Sequence, residues 1–172
     1  MVIESVGQVL ELKTQMYKSA EDTVVQLKSL METITPLELL SHFKFRKIGF
    51  DPIDGTELNI IEQVNQLFSD LVAMEALADL LQKYPEKSFR THLGAEAGFD
   101  IESLDGEVVA ECFAVTTASS NGKLKKDSEK LIEKAIDKKR YIYFYSENDI
   151  NSKLEKVYER FPDITYIRVE KL

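Results

Sequence analysis

Apolar residues recur at three- and four-residue steps along the first fifth of the chain: Val2, Val6, Val9, Met16, Ala20, Val24, Leu27, Leu30 and Ile34. That period gathers them on one stripe, so residues 2–33 are predicted to form a single long amphipathic helix. It must stop at Thr35-Pro36, because the residue before a proline is pushed out of the α region. Pro36 then suits the first turn of a second helix running to about Phe45. The segment from Gly49 to Gly55, GFDPIDG, reads as a loop from its glycine, proline and aspartate content. Beyond it the helical period returns over 57–83, with Thr56 as the expected cap, Ile60, Val64, Leu67, Leu71, Met74, Leu77 and Leu81 toward a core, and Pro85 closing the run.

From there the pattern changes to β. Residues 88–93, 99–104 and 108–117 are strand candidates, and Asp105-Gly106 between the last two is a strong hairpin signal. The polar stretch from Ala118 to Gly122 leads into a helix over 123–138, then a strand at 141–145 (YIYFY), a helix over 149–160 and a strand at 164–169. A meander followed by strand-helix-strand crossovers predicts a mixed sheet with helices on both faces, a three-layer α/β/α domain. Residues 1–50 are expected to be an N-terminal helical extension and 51–172 the α/β domain. The long leading helix has a near-heptad stripe broken by Lys13, so it either packs on the domain or pairs with a second copy as a homodimer.

Composition narrows the class. A chain of 172 residues, 44% of them hydrophobic, can bury one sizeable core. No apolar run has the length of a membrane span or the form of a signal peptide, and Cys112 has no second cysteine to pair with, so a cytoplasmic setting without membrane contact is expected. The net charge of -8 argues against a protein that coats nucleic acid. Yet residues 121–140 hold eight Lys and Arg against four Asp and Glu. That run is either a solvated helix face or an edge that meets nucleic-acid phosphates, and the second is the partner expectation.

The chemistry centres on Asp100 in GFDIES and Glu111 in VVAECFAV. Glu111 interrupts a continuous apolar run, the pattern of a strand covered on both faces, and a carboxylate buried there must be paired or must take up a proton. Pairing about Asp105-Gly106 sets Asp100 and Glu111 across from one another, within reach of a common ion. Mg²⁺ or Mn²⁺ suits such oxygen ligands, and Glu62, on a helix face with Gln66 and Ser69, is the candidate third. Competing accounts pair Glu111 with Arg90 or His92, let Asp100 accept backbone N–H groups, put Glu102 in place of either acid, and leave Glu62 in solvent. His42 and His92 are too far apart in sequence to suggest zinc, and a buried Cys112 beside a carboxylate makes a poor nucleophile. Tyr141, Tyr143, Phe144 and Tyr145 read as core with one face partly open, base stacking being the alternative. The chain has no glycine-rich phosphate loop, no Gly-x-Ser-x-Gly elbow and no dinucleotide fingerprint.

In the order of its elements and the placing of these acids, the chain resembles the PD-(D/E)XK nuclease superfamily over about residues 57–146. That resemblance implies a restriction-endonuclease-like fold, and Mg- or Mn-dependent hydrolysis of a nucleic-acid phosphodiester with Asp100, Glu111 and Glu62 as metal ligands. The family's lysine, two residues after the second acid, is Phe113 here. The resemblance then implies either a lysine arriving from elsewhere, Lys123, Lys125 or Lys126, with Asp100, Glu111 and Lys123 as the catalytic set, or a catalytically inactive module that serves protein interaction or self-association.

Overall fold

The computed structural model describes residues 1–93, 98–118, 122–148 and 151–172. It begins with a two-residue strand, β1 (Val2–Ile3), followed by α1 (Val6–Met31). The helix starts later than its apolar stripe because Ser5 and Gln8 form a capping box: the Ser5 side chain accepts the Gln8 N–H, and Gln8 Oε1 accepts the Ser5 N–H at 3.1 Å. Freed from the helix, Ile3 is 2% exposed and lies in the core. Thr35 and Glu38 repeat the device at the head of α2 (Pro36–Phe45). The predicted loop starts with β2 (Gly49–Phe50), which pairs antiparallel with β3 (Glu57–Leu58), so residues 57 and 58, expected in the following helix, are strand instead. The turn between these strands is held by Asp51 Oδ1, which accepts the Ile53 and Asp54 N–H groups.

Asn59, rather than Thr56, caps α3 (Ile60–Lys83), accepting the Glu62 N–H while Glu62 accepts the Asn59 N–H. Then come β4 (Phe89–Thr91), β5 (Ile101–Ser103), β6 (Val108–Val115), α4 (Lys123–Lys134), β7 (Lys139–Ser146), α5 (Asn151–Arg160) and β8 (Ile164–Arg168). Residues 119–121, in the polar link and at the start of the basic run, and 149–150, at the expected start of the last helix, lie outside the described residues.

Six strands form one mixed sheet in the order β1-β4-β5-β6-β7-β8. Neighbours from β1 to β6 are antiparallel, whereas β6, β7 and β8 run parallel. Parallel strands need crossovers, and α4 and α5 fall in those two connections. Side chains alternate along β6. Ala110 and Cys112 join Phe89, Ile101 and Tyr143 in a core against Val9 and Met16 of α1 and Met74 and Leu77 of α3. Val109 and Phe113 face the other way, with Ile142 and Phe144, onto Leu124 and Leu131 of α4 and Leu154 of α5. The chain is therefore a mixed α/β protein with helices on both faces of the sheet. The first helix shares its core with α3, while α2 buries none of its residues. Among the described residues no helix is long and apolar enough to cross a membrane.

Candidate acidic site between the third and fourth helices

Alternation sends Glu111, which lies between Val109 and Phe113, toward α4. It is 2% exposed. The last paired rung of the hairpin is Ile101 with Ala110, which leaves Asp100 one step further along, beside Glu111. Asp100 Oδ2 accepts the Cys112 backbone N–H at 2.7 Å, so this acid is tied to the strand that carries its neighbour. Gly98, with φ of 136°, makes the turn that leads into this segment.

α4 completes the cluster with three side chains at i, i+4 and i+7. Lys123 Nζ donates to Asp127 Oδ1 at 3.0 Å. Lys130 Nζ lies 2.6 Å from Glu111 Oε1 and donates to the Gly98 carbonyl at 2.6 Å. The Lys130-Glu111 approach is an ion pair by distance, but it misses the direction a hydrogen bond needs, and Glu111 Oε1 has no hydrogen-bond partner among the described residues. Phe99 offers its ring face to Lys130 and to Lys138, each 5.6 Å from the centroid. From α3 comes Asp70, 3% exposed, whose Oδ1 accepts from Gln66 Nε2 at 2.8 Å.

A cavity of about 190 Å³ opens at this point, walled by Gln66, Ser69, Asp70, His92, Asp100, Cys112, Phe113 and Lys123. Glu111 lies behind these walls rather than among them. A larger concavity of about 660 Å³ between α1 and residues 50–55 contains none of these groups.

Charge inside the cluster does not balance. Four carboxyls (Asp70, Asp100, Glu111 and Asp127) face two ammonium groups, Lys123 and Lys130, with His92 nearby. Desolvation and the neighbouring Asp100 push Glu111 up to about 7. Desolvation, only partly relieved by Gln66, also pushes Asp70 up to about 7. Burial raises Asp100 and Asp127 as well, against the relief given by the Cys112 N–H to the first and by Lys123 to the second. Burial works against the charge on Lys123, but the facing carboxylates outweigh it and its pKa is raised. Cys112 is driven well up by burial and by Asp100 and Glu111, so its thiol stays protonated. Beyond Glu111 Oε1, Asp70 Oδ2 and Asp127 Oδ2 are buried without a hydrogen-bond partner among the described residues.

The residues expected from sequence fall in different places. Asp100 and Glu111 come together. Lys123 reaches the same pocket, its ammonium 5.8 Å from the centroid of Phe113. Lys125 and Lys126 are exposed, and Lys125 faces Glu129 at 3.7 Å. Glu62 is exposed in the first turn of α3, its Oε2 accepting the Asn59 N–H at 3.2 Å. Glu102 pairs with Lys138 at 2.6 Å, and Arg90 is exposed. Asp70, Asp127 and Lys130 had not been singled out, although each carried a signal. Asp70 lies on the apolar stripe of its helix beside Leu67, Leu71 and Met74, and Asp127 and Lys130 share a face with Lys123 at helical spacing.

Among the described residues, no three His, Cys, Asp or Glu side chains are grouped so as to hold a metal ion. Two carboxylates can suffice for Mg²⁺, which keeps several waters and takes further oxygens from substrate phosphates. The chain matches no protein-family model, no curated protein and no solved structure.

Proposed function

We propose that this chain is a restriction-endonuclease-like protein in which Asp100 and Glu111 hold a divalent cation and the pocket hydrolyses a phosphodiester of nucleic acid. The observation that carries this reading is the excess of buried acid. Leaving carboxylates desolvated costs several kcal/mol, and a cation or a proton removes that cost. The order α3, β4, β5, β6, α4, β7, with the acids at the entrance to β5 and within β6, supports the fold assignment.

Asp100 and Glu111 are the metal-holding residues of this reading. Asp70 is the helix acid nearest them, since the Glu62 carboxylate is occupied at the helix cap. Bound Mg²⁺ or Mn²⁺ would supply an activated water and neutralise charge on the phosphate. Lys123 is held in the pocket by Asp127 and stays charged at neutral pH, so its role is to meet negative charge growing on the phosphate and to give up a proton rather than take one. Lys130, 2.6 Å from Glu111 Oε1, offsets part of the charge on that acid. The exposed Lys125, Lys126 and Lys134 on the same helix are the groups that meet the nucleic-acid backbone.

Calorimetric titration of the purified chain with Mn²⁺ tests this. Binding is expected in the wild type and is lost in Asp100→Ala and in Glu111→Ala. No binding to the wild type rejects the catalytic reading.

A second reading, an inactive module that associates through its N-terminal helices, is favoured by Phe113 at the lysine position and by the apolar surface of α1 and α2. There Val25, Met31, Leu37 and Phe45 are 66%, 62%, 78% and 72% exposed. On this reading light scattering finds a dimer that Val25→Asp with Leu37→Asp dissociates; a monomeric wild type removes it.

A further inference from the structure

Along the seam between α3 and β6 a second cavity, of about 410 Å³, is walled by Val64, Asn65, Phe68, Ala114, Tyr145 and Glu147 among others. The two cavities draw on adjoining turns of α3, with Phe68 in one and Ser69 and Asp70 in the other. They also draw on successive same-face residues of β6, Ala114 and Cys112, which strand geometry sets about 7 Å apart. The two cavities are therefore neighbours along this seam, one lined by charged groups and the other by apolar and aromatic ones.

The apolar cavity is open. Phe68 and Val64 are 43% and 45% exposed, a placement that costs apolar hydration unless something covers them. Tyr145 forms part of the opposite wall, its hydroxyl donating to Glu147 Oε1 at 2.7 Å. Asn65 and Glu147 stand exposed beside it, an amide that both donates and accepts and a carboxylate that accepts. Two aromatic side chains, apolar neighbours and a few hydrogen-bonding groups are the chemistry that receives a nucleobase: stacking is tolerant of sequence, and a carboxylate accepts from an exocyclic amine.

We propose that this cavity takes the unpaired base next to the phosphate held at the acidic pocket, so that the substrate is single-stranded nucleic acid or a nucleotide turned out of a duplex. This rests on the nuclease reading above and narrows it. A base still stacked and paired in a duplex presents only its edges and cannot lay its face on Phe68.

The test measures binding of fluorescein-labelled oligonucleotides by anisotropy in EDTA, which prevents cleavage. The probes are a single strand, the matching duplex, and a single strand with one abasic position; Phe68→Ala and Phe68→Leu are compared with wild type. Phe68 is partly exposed, and circular dichroism checks that both variants fold. The single strand is expected to bind at least about ten-fold tighter than the duplex, and Phe68→Ala to weaken it by about ten-fold with Phe68→Leu between, the loss of one stacked base. A strand carrying 2-aminopurine is expected to lose fluorescence on binding the wild type and not Phe68→Ala.

Equal affinity for strand and duplex, with neither Phe68 variant changing it, overturns the base-binding inference and leaves the nuclease reading in place. No binding of any of the oligonucleotides overturns the base-binding inference, while the nuclease reading, which puts a metal at the phosphate, is judged separately by the Mn²⁺ titration above. Binding that needs Phe68 but is undiminished by the abasic position shows that Phe68 meets the strand without stacking on a base, and also overturns the inference.

Discussion

Replacing Glu111 with glutamine keeps the volume of the side chain and removes its charge, so it asks whether the buried acid is a burden or a support. Glu111 has an ordinary value of 4.5 and is held at about 7 in the folded protein. The sign follows from proton binding. Between pH 4.5 and 7 the folded state keeps a proton that the unfolded state has lost, so stability falls as pH rises through that window, and the cost is fully present above about 7. At 1.36 kcal/mol for each unit, the penalty carried by the Asp100-Glu111 pair is about 3 kcal/mol at pH 8. Glutamine, neutral like the protonated acid, removes it; the relief that Lys130 gives the carboxylate is already contained in the value of about 7, and that ammonium, 31% exposed, keeps its bond to the Gly98 carbonyl. Glu111→Gln should therefore stabilise the metal-free protein by about 3 kcal/mol at pH 8 and by close to nothing at pH 4.5. Urea denaturation in EDTA at the two pH values measures this. A loss of about 3 to 5 kcal/mol at pH 8 would mean that the Lys130-Glu111 pair is a structural salt bridge, and would refute the reasoning.

Three further outcomes follow from named contacts. Lys123→Met should leave the fold intact by circular dichroism and lower cleavage of a labelled oligonucleotide by at least about a hundred-fold; full activity would remove Lys123 from the chemistry. Ile3→Ala should cost about 2 to 5 kcal/mol in urea denaturation, because Ile3 is 2% exposed in the main core, and a neutral result would show that the first strand is dispensable. Gly49→Ala should cost about 1 to 3 kcal/mol, since a Cβ there would fall 2.2 Å from Gln63 Oε1, a side chain held by Thr23 and Ser19 of the first helix. An unchanged denaturation midpoint would show that Gln63 yields.

The alternation of elements was legible because each long segment had one clear period. The seven apolar neighbours of Glu111 specified a central strand, and Asp105-Gly106 specified the turn that brings Asp100 beside it. What failed was local competition at helix starts. Val2 and Ile3 fit the helical stripe, yet the Ser5-Gln8 capping box begins the helix after them and frees them for the sheet edge. Asn59 likewise takes the cap from Thr56, and its partner in that box is Glu62, which draws this acid to the helix end. The pocket acid of the same helix, Asp70, hid in plain pattern: a carboxylate on an apolar stripe is the same anomaly as Glu111 in an apolar strand. Helical spacing set Lys130 on the face of Lys123, but its meeting with Glu111 was not legible, since that depends on how the fourth helix crosses the sheet.

The central claim is that the buried acids serve a metal-assisted cleavage. Incubating a 5′-labelled single-stranded oligonucleotide with wild-type protein and with Asp100→Asn, in Mn²⁺ and in EDTA, tests it most directly. Shortened products are expected only for the wild type in Mn²⁺, and an intact strand in the other three reactions. An intact strand in all four, or equal cleavage by Asp100→Asn, would contradict it.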